Sequence, residues 1–547
     1  MGRKVLAAKS GRAACSCTAA GGGGCSVGVF NAEKQSSREA KSFLTGLTGL
    51  TGFTGLREVS VKPAKTKPSG VAWLGDVPEG WEVRRLKSIF EYRKGLSITK
   101  ADLTQTGIPV ISYGQIHSKE NTGTHLQDSL LRFVPLKYLE SDGNCLLKED
   151  DFVFADTSED LEGLGNCVYV DRQDKIFAGY HTIIFRPYGH YRGEVKFRYL
   201  AYLFKTDVWR SQFRAKAFGI KVYSLSQRLL NDCYLILPPL PVQRAIAAFL
   251  DEKCGAIDAA VAEAKKGIEE YKTWKKALIF EVVTGKRRVG FFNAESKCAR
   301  DEVVGLPERS EPEGLQGAAR RRVAEKMKSS GIPWIGDVPV GWEVSRVKHH
   351  YELILGKMLC ATSNNDANVR LPYVCAANVH FEGVALSDLK EMWFSTIEVK
   401  QYAIREGDLL VVEGGAGAGG AAICPRIDGI VGIQNSIILV RNKSCRDNRY
   451  LRYLLEALVK NGYVDFVCNK ATIPHFTKDK LGNVPLPLPP LPEQQAIAAY
   501  LDEKCAAIDK IVAEKNALIA DLEAYKKSLI YETVTGKREV ASNSMVK

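Results

Sequence analysis

Two basic and polar segments stand at matching places in this 547-residue chain, each shortly before a long helical pattern. Residues 214–228 read RAKAFGIKVYSLSQR, and residues 468–480 read CNKATIPHFTKDK. Lysine and arginine neutralise phosphates, whereas Ser, Thr, Asn, Gln, Tyr and His side chains hydrogen-bond base edges. A solvated loop is the alternative interpretation, and the matching placement favours contact with nucleic acid. The candidate contact residues are Arg214, Lys216, Lys221, Tyr223, Ser224, Gln227, Asn469, Lys470, Thr472, His475 and Lys478.

A glycine-rich stretch suggests a different chemistry. Gly415, Gly417 and Gly420 match the dinucleotide-binding pattern GxGxxG directly after the apolar run DLLVVE. Pro425 and a further strand pattern follow, where a phosphate-binding helix has to begin. The stretch therefore predicts a glycine-rich hairpin or loop rather than a nucleotide site. The sequence also lacks GxxxxGK followed by Ser or Thr, the motif of ATPase motors.

Candidate catalytic carboxylates and histidines lack the neighbours that their chemistry requires. The Glu-Val-Lys tripeptides at 194–196 and 398–400 resemble the end of a nuclease metal site, but no Pro-Asp precedes either. His349 and His350 are adjacent without a Cys or Asp at ligand spacing, and His181 lies in a strand pattern. The Asn-Pro-Pro-aromatic tetrapeptide of amino-methyltransferases is also missing. We therefore predict no catalytic residue and no metal site.

The elements around these residues occur twice. LPPLPVQRAIAAFLDEKCGAID at 237–258 recurs at 488–509 with 18 of 22 positions identical. Upstream, the 19-residue box SGVAWLGDVPEGWEVRRLK, which begins at Ser69, recurs from Ser330 with 13 identical positions. The stretches between the boxes, 88–236 and 349–487, align only in short strand-like patches. Repeated frames around different interiors predict two distinct recognition surfaces held in a fixed mutual geometry.

A seven-residue apolar repeat follows each LPPLP box and continues for four to five heptads. Such a repeat predicts long helices with coiled-coil packing, which end at Gly285 and Gly536. Each helix is expected to have about 40 residues and a length of roughly 60 Å. Lys275 and Lys526 fall on the seam, so we expect the pair of helices to pack against something else as well. The seam residues are Leu250, Ile257, Val261 and Ile268 in the first copy and Leu501, Ile508, Val512 and Ile519 in the second.

The interiors between the boxes predict mixed α and β domains. Short apolar runs bounded by Gly, Asp and Pro, at 151–155 and 408–412, are typical of strands. A second similar pair lies at 175–185 and 430–440, and helical stretches follow. The predicted fold class is α+β, with two mixed domains, two long coiled-coil-like helices and a pseudo-twofold internal repeat.

Composition narrows the class of protein. The net charge of +13 and the isoelectric point near 9.0 favour a polyanionic partner. Fourteen cysteines without framework spacing are typical of reduced thiols, and no run reaches the roughly 18 apolar residues of a membrane span. We therefore expect a cytoplasmic protein without membrane contact. Residues 1–60 are rich in Gly, Ala and Ser, which predicts a disordered tail or an over-extended translation start.

The combination of boxes resembles the specificity (S, or HsdS) subunits of type I restriction-modification enzymes. The resemblance rests on the GWE boxes at 80–82 and 341–343, on the two LPPLPxQxAIAAxLD motifs, and on the VTGKR closures at 283–287 and 534–538. Together these features span the chain from residue 69 to residue 538. The N-terminal tail and the long linker between the copies depart from the family pattern.

The resemblance implies a non-catalytic DNA specificity subunit. Each target-recognition domain would read one half of an asymmetric, two-part site in double-stranded DNA. Two antiparallel helices, with the seam residues named above, would set the gap and dock two methyltransferase (M) subunits and, through them, restriction (R) subunits. No cofactor is expected in this subunit, while S-adenosylmethionine, ATP and Mg²⁺ are expected in its partners.

Two other classes of function stay open from the residues alone. A self-contained restriction or modification enzyme is one, and the missing catalytic motifs argue against it. A coiled-coil adaptor that does not bind DNA is the other, and the basic segments argue against it. The expected domain order is a tail at 1–60, a target-recognition domain at 61–236, a spacer helix at 237–287, a linker at 288–329, a second target-recognition domain at 330–487, a second spacer helix at 488–538 and a tail at 539–547.

Overall fold

The computed structural model describes residues 65–71, 74–214, 222–289, 326–363, 365–443, 446–468 and 474–540. The chain divides into two compact units. The first unit contains the chain up to Glu263 and again from Ala517, and the second contains Ala264–Asn516. The division falls inside both long helices, so each unit contains the first part of one long helix and the last part of the other. The predicted tail at 1–60 and most of the predicted linker lie outside the described residues.

The secondary structure of the first copy alternates short strands with short helices before one long helix. Its strands are β1 (Thr66–Pro68), β2 (Asp76–Pro78), β3 (Glu82–Arg85), β4 (Phe90–Lys94), β5 (Ile108–Ile111), β6 (Arg132–Val134), β7 (Phe152–Ala155), β8 (Thr157–Ser158), β9 (Cys167–Tyr169), β10 (Phe177–Ala178), β11 (Thr182–Pro187), β12 (Tyr223–Ser224) and β13 (Tyr234–Leu237). Its helices are α1 (Leu86–Ile89), α2 (Tyr113–Ile116), α3 (Tyr138–Ser141), α4 (Phe197–Phe204), α5 (Asp207–Arg214), α6 (Gln227–Asn231) and α7 (Leu240–Val283).

The second copy repeats this plan. Its strands are β14 (Met327–Ser329), β15 (Asp337–Pro339), β16 (Glu343–Arg346), β17 (Tyr351–Leu355), β18 (Val369–Val374), β19 (Val379–His380), β20 (Gly383–Val384), β21 (Lys390–Phe394), β22 (Leu409–Val412), β23 (Ala421–Ile423), β24 (Gly432–Ile433), β25 (Ile437–Asn442) and β26 (Pro485–Leu488). Its helices are α8 (Val347–His350), α9 (Thr396–Tyr402), α10 (Asn448–Lys460), α11 (Tyr463–Val467), α12 (Lys478–Gly482) and α13 (Leu491–Val534).

The same two sheets occur in both units. The order of the four-stranded antiparallel sheet is β4-β11-β7-β9 in the first unit and β17-β25-β22-β23 in the second. The order of the three-stranded sheet is β10-β5-β6 and β24-β18-β21, with one parallel pair in each. The two interiors therefore share one topology, although their sequences align only in short patches. The predicted α+β class with an internal repeat is confirmed. Sequence comparison matched only two pairs of strand patches, because core side chains such as Phe154 and Val411 differ in size between the copies.

The central strands β7 and β22 are continuous apolar runs because both of their faces are buried. In the second unit, Leu409 and Val411 pack with the residues of α10, whereas Leu410 and Val412 pack with the three-stranded sheet. The first unit repeats the pattern with an aromatic cluster around Phe154. Burying each such side chain contributes about 1.5–3 kcal/mol. A strand with one solvated face would show alternating polar residues instead.

The long helices α7 and α13 contain 44 residues each, which corresponds to about 66 Å. Of the eight predicted seam residues, all but the half-buried Val512 are buried. The seam lysines are paired with acids on the other helix. Lys526 Nζ lies 2.6 Å from Asp258 Oδ1 in the first unit, and Lys275 Nζ lies 2.7 Å from Asp509 Oδ2 in the second. Each pair joins the first part of one long helix to the last part of the other, as antiparallel helices require, and the pairs explain why lysines occupy the apolar seam.

The glutamine of each LPPLPxQ box anchors the start of a long helix. Gln243 Nε2 donates to Pro238 O at 2.7 Å, and its Oε1 accepts from Lys196 N at 2.8 Å. Gln494 repeats both bonds, to Pro489 O and from Asp447 N. Both glutamine side chains are buried. An unpaired amide at this depth is destabilising, so the repeated motif satisfies polar groups where a strand turns into a helix.

The GWE and VTGKR boxes meet in each unit. Gly285, after α7, has φ +73°, and a Cβ there would lie 2.4 Å from Pro339 Cδ and 3.2 Å from the Trp342 ring. Gly536, after α13, has the same φ, and a Cβ would lie 2.4 Å from Pro78 Cγ. Each helix therefore ends on the box of the other copy, and only glycine combines the left-handed backbone with this close approach.

Replacing Gly536 with alanine is expected to destabilise the first unit by more than about 1–2 kcal/mol, the ordinary cost of a left-handed non-glycine residue. The added methyl group also has to displace Pro78. Gly70→Ala is the matched control, because Gly70 has φ +73° and a Cβ there would meet no atom of the described residues within 4 Å. Denaturant midpoints of the two variants separate the backbone cost from the packing cost, and equal midpoints would contradict the packing contribution.

Candidate nucleic-acid interface

The two predicted contact segments lie at the same place in the two units, across the end of the central strand. In the first unit, β12 pairs antiparallel with β8, which is separated from β7 by one residue. In the second unit, His475 forms a bridge with Gly414, which follows β22 by one residue. We call this region the strand-end surface. It consists of residues 156–166 and 222–227 in the first unit and of 413–420 and 474–478 in the second.

The predicted contact residues are placed unequally. Arg214 ends α5 and donates to Asp207 Oδ1 at 2.9 Å and to Glu162 O at 2.6 Å, so its guanidinium ties down the loop beside the strand end. Tyr223 is half-buried at the strand-end surface. Exposed on that surface are Ser224, Gln227, His475 and Lys478. Outside the described residues are Lys216, Lys221, Asn469, Lys470 and Thr472.

A carboxylate that sequence reasoning did not single out stands at the end of each central strand. Asp156 follows β7 directly, and Glu413 follows β22 directly. Two backbone hydrogen bonds hold each residue. Its N–H donates to the carbonyl of the residue just before β11 or β25, and its carbonyl accepts from the segment that lies across the strand end, 222–227 or 474–478, which we call the covering segment. Their lengths are 3.1 and 2.7 Å for Asp156 and 2.8 and 2.6 Å for Glu413. The signal in the sequence was the acid directly after each apolar run, DFVFA-D and DLLVV-E.

A histidine neighbours each of these carboxylates, but from a different part of the fold. His181 precedes β11 and has φ +55°, and its Nδ1 lies 3.2 Å from Asp156 Oδ1. In the second unit the histidine is His475, from the covering segment. Burial raises the pKa of the Glu413 carboxyl, and His475 acts against that rise. The two units thus present the same acid position in different polar surroundings.

The loops beyond these carboxylates differ in charge. The first unit has an acidic loop at 157–166 with exposed Glu159, Asp160 and Glu162, next to a cleft that Tyr113 and His117 also line. His117 Nε2 donates to Thr157 O at 2.8 Å, which fixes the loop to α2. The second unit has the glycine-rich loop 414–420, where Gly415 and Gly419 have φ +89° and +82°. The expected glycine-rich loop is thus present, and it begins no helix.

The remaining motifs with catalytic potential have structural partners. Glu398 accepts from Ser395 N at the start of α9 and pairs with Lys357, contacts that lower its pKa against the effect of burial. His350 Nε2 lies 2.9 Å from Ser345 Oγ. Within the described ranges, no group of three or more His, Cys, Asp or Glu side chains is arranged to hold a metal ion. Among the helices that the structure describes, none is long and apolar enough to cross a membrane.

Comparison with known proteins identifies the family. The model of the type I restriction modification DNA specificity domain matches twice, at residues 78–266 and 339–520. The chain belongs to this family. Its DNA specificity role in type I restriction-modification is therefore established, and each copy of the internal repeat contains one matched segment. This role excludes the alternative hypothesis that the chain is a coiled-coil adaptor that does not bind DNA.

Individual relatives agree with this assignment. The chain is 24% identical over 489 residues to a putative type I restriction enzyme MjaX specificity subunit of Methanocaldococcus jannaschii, covering 85% of this chain and 96% of the relative. It is 28% identical over 476 residues to the type I restriction enzyme MjaVIII specificity subunit of the same organism, covering 85% and 94%. A chain from a structural study of complex assembly in the type I R-M system superposes with a TM-score of 0.56 at 17% identity, covering 84% of this chain and 99% of that one. That likeness supports the fold.

Proposed function

We propose that each unit reads one half of an asymmetric, two-part DNA site, and that α7 and α13 set the unread gap between the halves. The observation that carries the proposal is the strand-end surface, which occupies the same place in both units with different side chains. One fold then presents two different sets of hydrogen-bonding groups to DNA. A pseudo-twofold protein with unequal reading surfaces matches a site with unequal halves.

Affinity and specificity come from different residues. The excess of Lys and Arg in the chain, 76 against 63 Asp and Glu, supplies phosphate contacts whose strength falls with salt, by a slope of roughly −0.9 for each neutralised phosphate. Exposed polar side chains such as Ser224, Gln227 and His475 supply base contacts, and a good bidentate pair contributes about 1–3 kcal/mol of discrimination.

Catalysis is assigned to partner subunits that dock on this chain. Two M subunits would supply methylation with S-adenosylmethionine, and R subunits would supply ATP- and Mg²⁺-dependent cleavage. The seam side chains of α7 and α13 pack inside the chain, so contacts with M subunits fall to the exposed faces of these helices, where residues such as Trp274 lie 48% exposed. Free cysteines, buried ones among them, fit a reducing cytoplasm.

Exchange of one interior tests the proposal. Replacing residues 349–487 with the corresponding interior of another family member should change one half-site completely and leave the other half-site and the gap unchanged. The measurement is a map of methylated bases in a methylation-free host that co-expresses the chain with its M subunit. Exchange of residues 88–236 is the matched control and should change the opposite half-site only. A change in both half-sites from a single exchange would show that the units do not read independently.

A further inference from the structure

We propose that Asp156 and Glu413 are base-reading residues, one in each unit, and that each accepts a hydrogen bond from the N4 amino group of a cytosine in its half-site. The inference rests on the proposed function, since it requires each unit to read one half of the site. It assigns a chemical role to two side chains that lie at one structural position in both copies.

Structural equivalence of the two acids follows from strand register. In the first unit, Ala155 of β7 stands opposite Thr182 of β11, and in the second Val412 of β22 stands opposite Ile437 of β25. Asp156 and Glu413 are the next residues in each case. Their neighbours on both sides differ between the copies, so the acid is the polar feature that the two strand ends share.

The backbone of each acid is held firmly enough for base recognition. The carbonyl of Asp156 accepts from Leu225 N, and the carbonyl of Glu413 accepts from Phe476 N, both in the covering segments. Leu225 and Phe476 are buried, which fixes those segments in turn. A reading side chain needs such support, because a displacement of about 1 Å weakens a directional contact.

The carboxylates are also accessible. The Asp156 side chain is 34% exposed, and Glu413 is half-buried. A carboxylate has about four lone-pair sites, so the contact of Asp156 with His181 leaves it capacity to accept from a base. The exposed Ser224 and His475 of the predicted contact segments flank the same strand ends. The contact residues predicted from the sequence therefore lie at the same strand ends as the two acids.

An ionised carboxylate discriminates because it only accepts hydrogen bonds. Cytosine presents an amino donor in the major groove without an acceptor beside it, whereas adenine presents its N6 amino group beside the acceptor N7. Guanine O6 and N7 and thymine O4 are acceptors that a carboxylate repels. A purely structural role fits the geometry less well. The histidine partner comes from the start of β11 in one unit and from the covering segment in the other, so no acid–histidine pair is conserved as a structural element.

The test uses the variants Asp156→Asn and Glu413→Gln in complex with the M subunit. An amide both donates and accepts, so each variant should lose discrimination roughly fivefold or more at one G·C pair of one half-site, the lower end of the range for a good contact. The readout is methylation at the recognised site and at each single-base variant of it. Asp156→Asn and Glu413→Gln should relax opposite half-sites.

Matched controls lie at the other ends of the same strands. Glu149→Gln and Glu406→Gln remove one negative charge each, from the turns that precede β7 and β22, and should leave both half-sites unchanged. The unaffected half-site in each acid variant reports that the complex has assembled. An unchanged motif in Asp156→Asn and Glu413→Gln overturns the inference, as does loss of all methylation with a lowered melting temperature. A wild-type complex without any two-part motif contradicts the proposed function itself.

Discussion

Replacing Asp151 with alanine is expected to lower the free energy of unfolding of the first unit by about 3–5 kcal/mol, the usual cost of leaving a buried charge unpaired. Arg186 Nη2 lies 2.6 Å from Asp151 Oδ2, and Arg186 Nε lies within 3.2 Å of both carboxylate oxygens. Asp151 is 0% exposed and Arg186 5% exposed. Burial raises the pKa of the Asp151 carboxyl, and the Arg186 guanidinium and Lys148 N act against that rise. Without the carboxylate, the guanidinium keeps its hydrogen bond to the carbonyl of Leu146 but stays buried without the opposite charge that now balances it.

The measurement is hydrogen exchange of the backbone amides in β7 and β11, which reports on the first unit separately. Protection there should fall by roughly 100-fold to 5,000-fold, as a loss of 3–5 kcal/mol implies at 1.36 kcal/mol per factor of ten. The amides of β22 and β25 in the second unit are the internal control. A combined Asp151→Ala and Arg186→Met variant should recover part of the loss, because it removes both charges. Protection that changes less than fivefold in Asp151→Ala would contradict a buried, mutually dependent pair.

The second copy offers a graded comparison. Asp408 and Arg441 form the equivalent pair, with Arg441 Nη2 2.9 Å from Asp408 Oδ2, but their side chains are 10% and 16% exposed. Asp408→Ala should therefore cost less than Asp151→Ala, since water can reach the remaining charge. The same residue pair at two depths separates the contribution of burial from that of the contact itself.

Sequence patterns predicted the strands that carry this pair but not the pair. The acid before each apolar run was visible, yet Arg186 lies 35 positions from Asp151, and no local pattern links the two. Both runs are apolar throughout, which predicted a strand but did not show which face packs against which layer. The long helices were predictable because a seven-residue repeat is a local signal. The contacts at the ends of these helices were not predictable, because Gly536 approaches Pro78, which lies far away in the sequence.

The sequence predicted one part of the strand-end surface, the segments before the long helices, but not the two acids. Composition and matching placement pointed to the segments before each long helix, which the structure places across the strand ends. Asp156 and Glu413 escaped notice because a single acid after a strand is common, and only the register of two sheets shows that they are equivalent. The interiors lack sequence similarity where aromatic side chains such as Phe154 replace aliphatic ones such as Val411, although each fills one position in the same sheet.

Lengthening both long helices by one heptad is expected to widen the unread gap of the DNA site by about three base pairs, while both half-sites stay the same. Seven residues add roughly 10.5 Å of helix, and B-DNA rises about 3.4 Å per base pair. The insertions belong between Glu263 and Ala264 and between Glu514 and Lys515, which are equivalent points in α7 and α13. A whole heptad in each helix preserves the apolar seam, whereas an insertion in one helix alone shifts pairs such as Lys526–Asp258 out of register. The measurement is the methylated motif of the complex with its M subunit.

A heptad inserted at residues 290–325, between the two copies and outside both helices, is the control for added chain length. It should leave the gap unchanged, because that segment belongs to neither helix. A wider motif with both halves intact would assign the gap to the helices alone, since every side chain at the two strand-end surfaces is unaltered. If the doubly lengthened complex methylates the original motif with the original gap, the helices do not measure the distance, and the spacing has to come from contacts within the units.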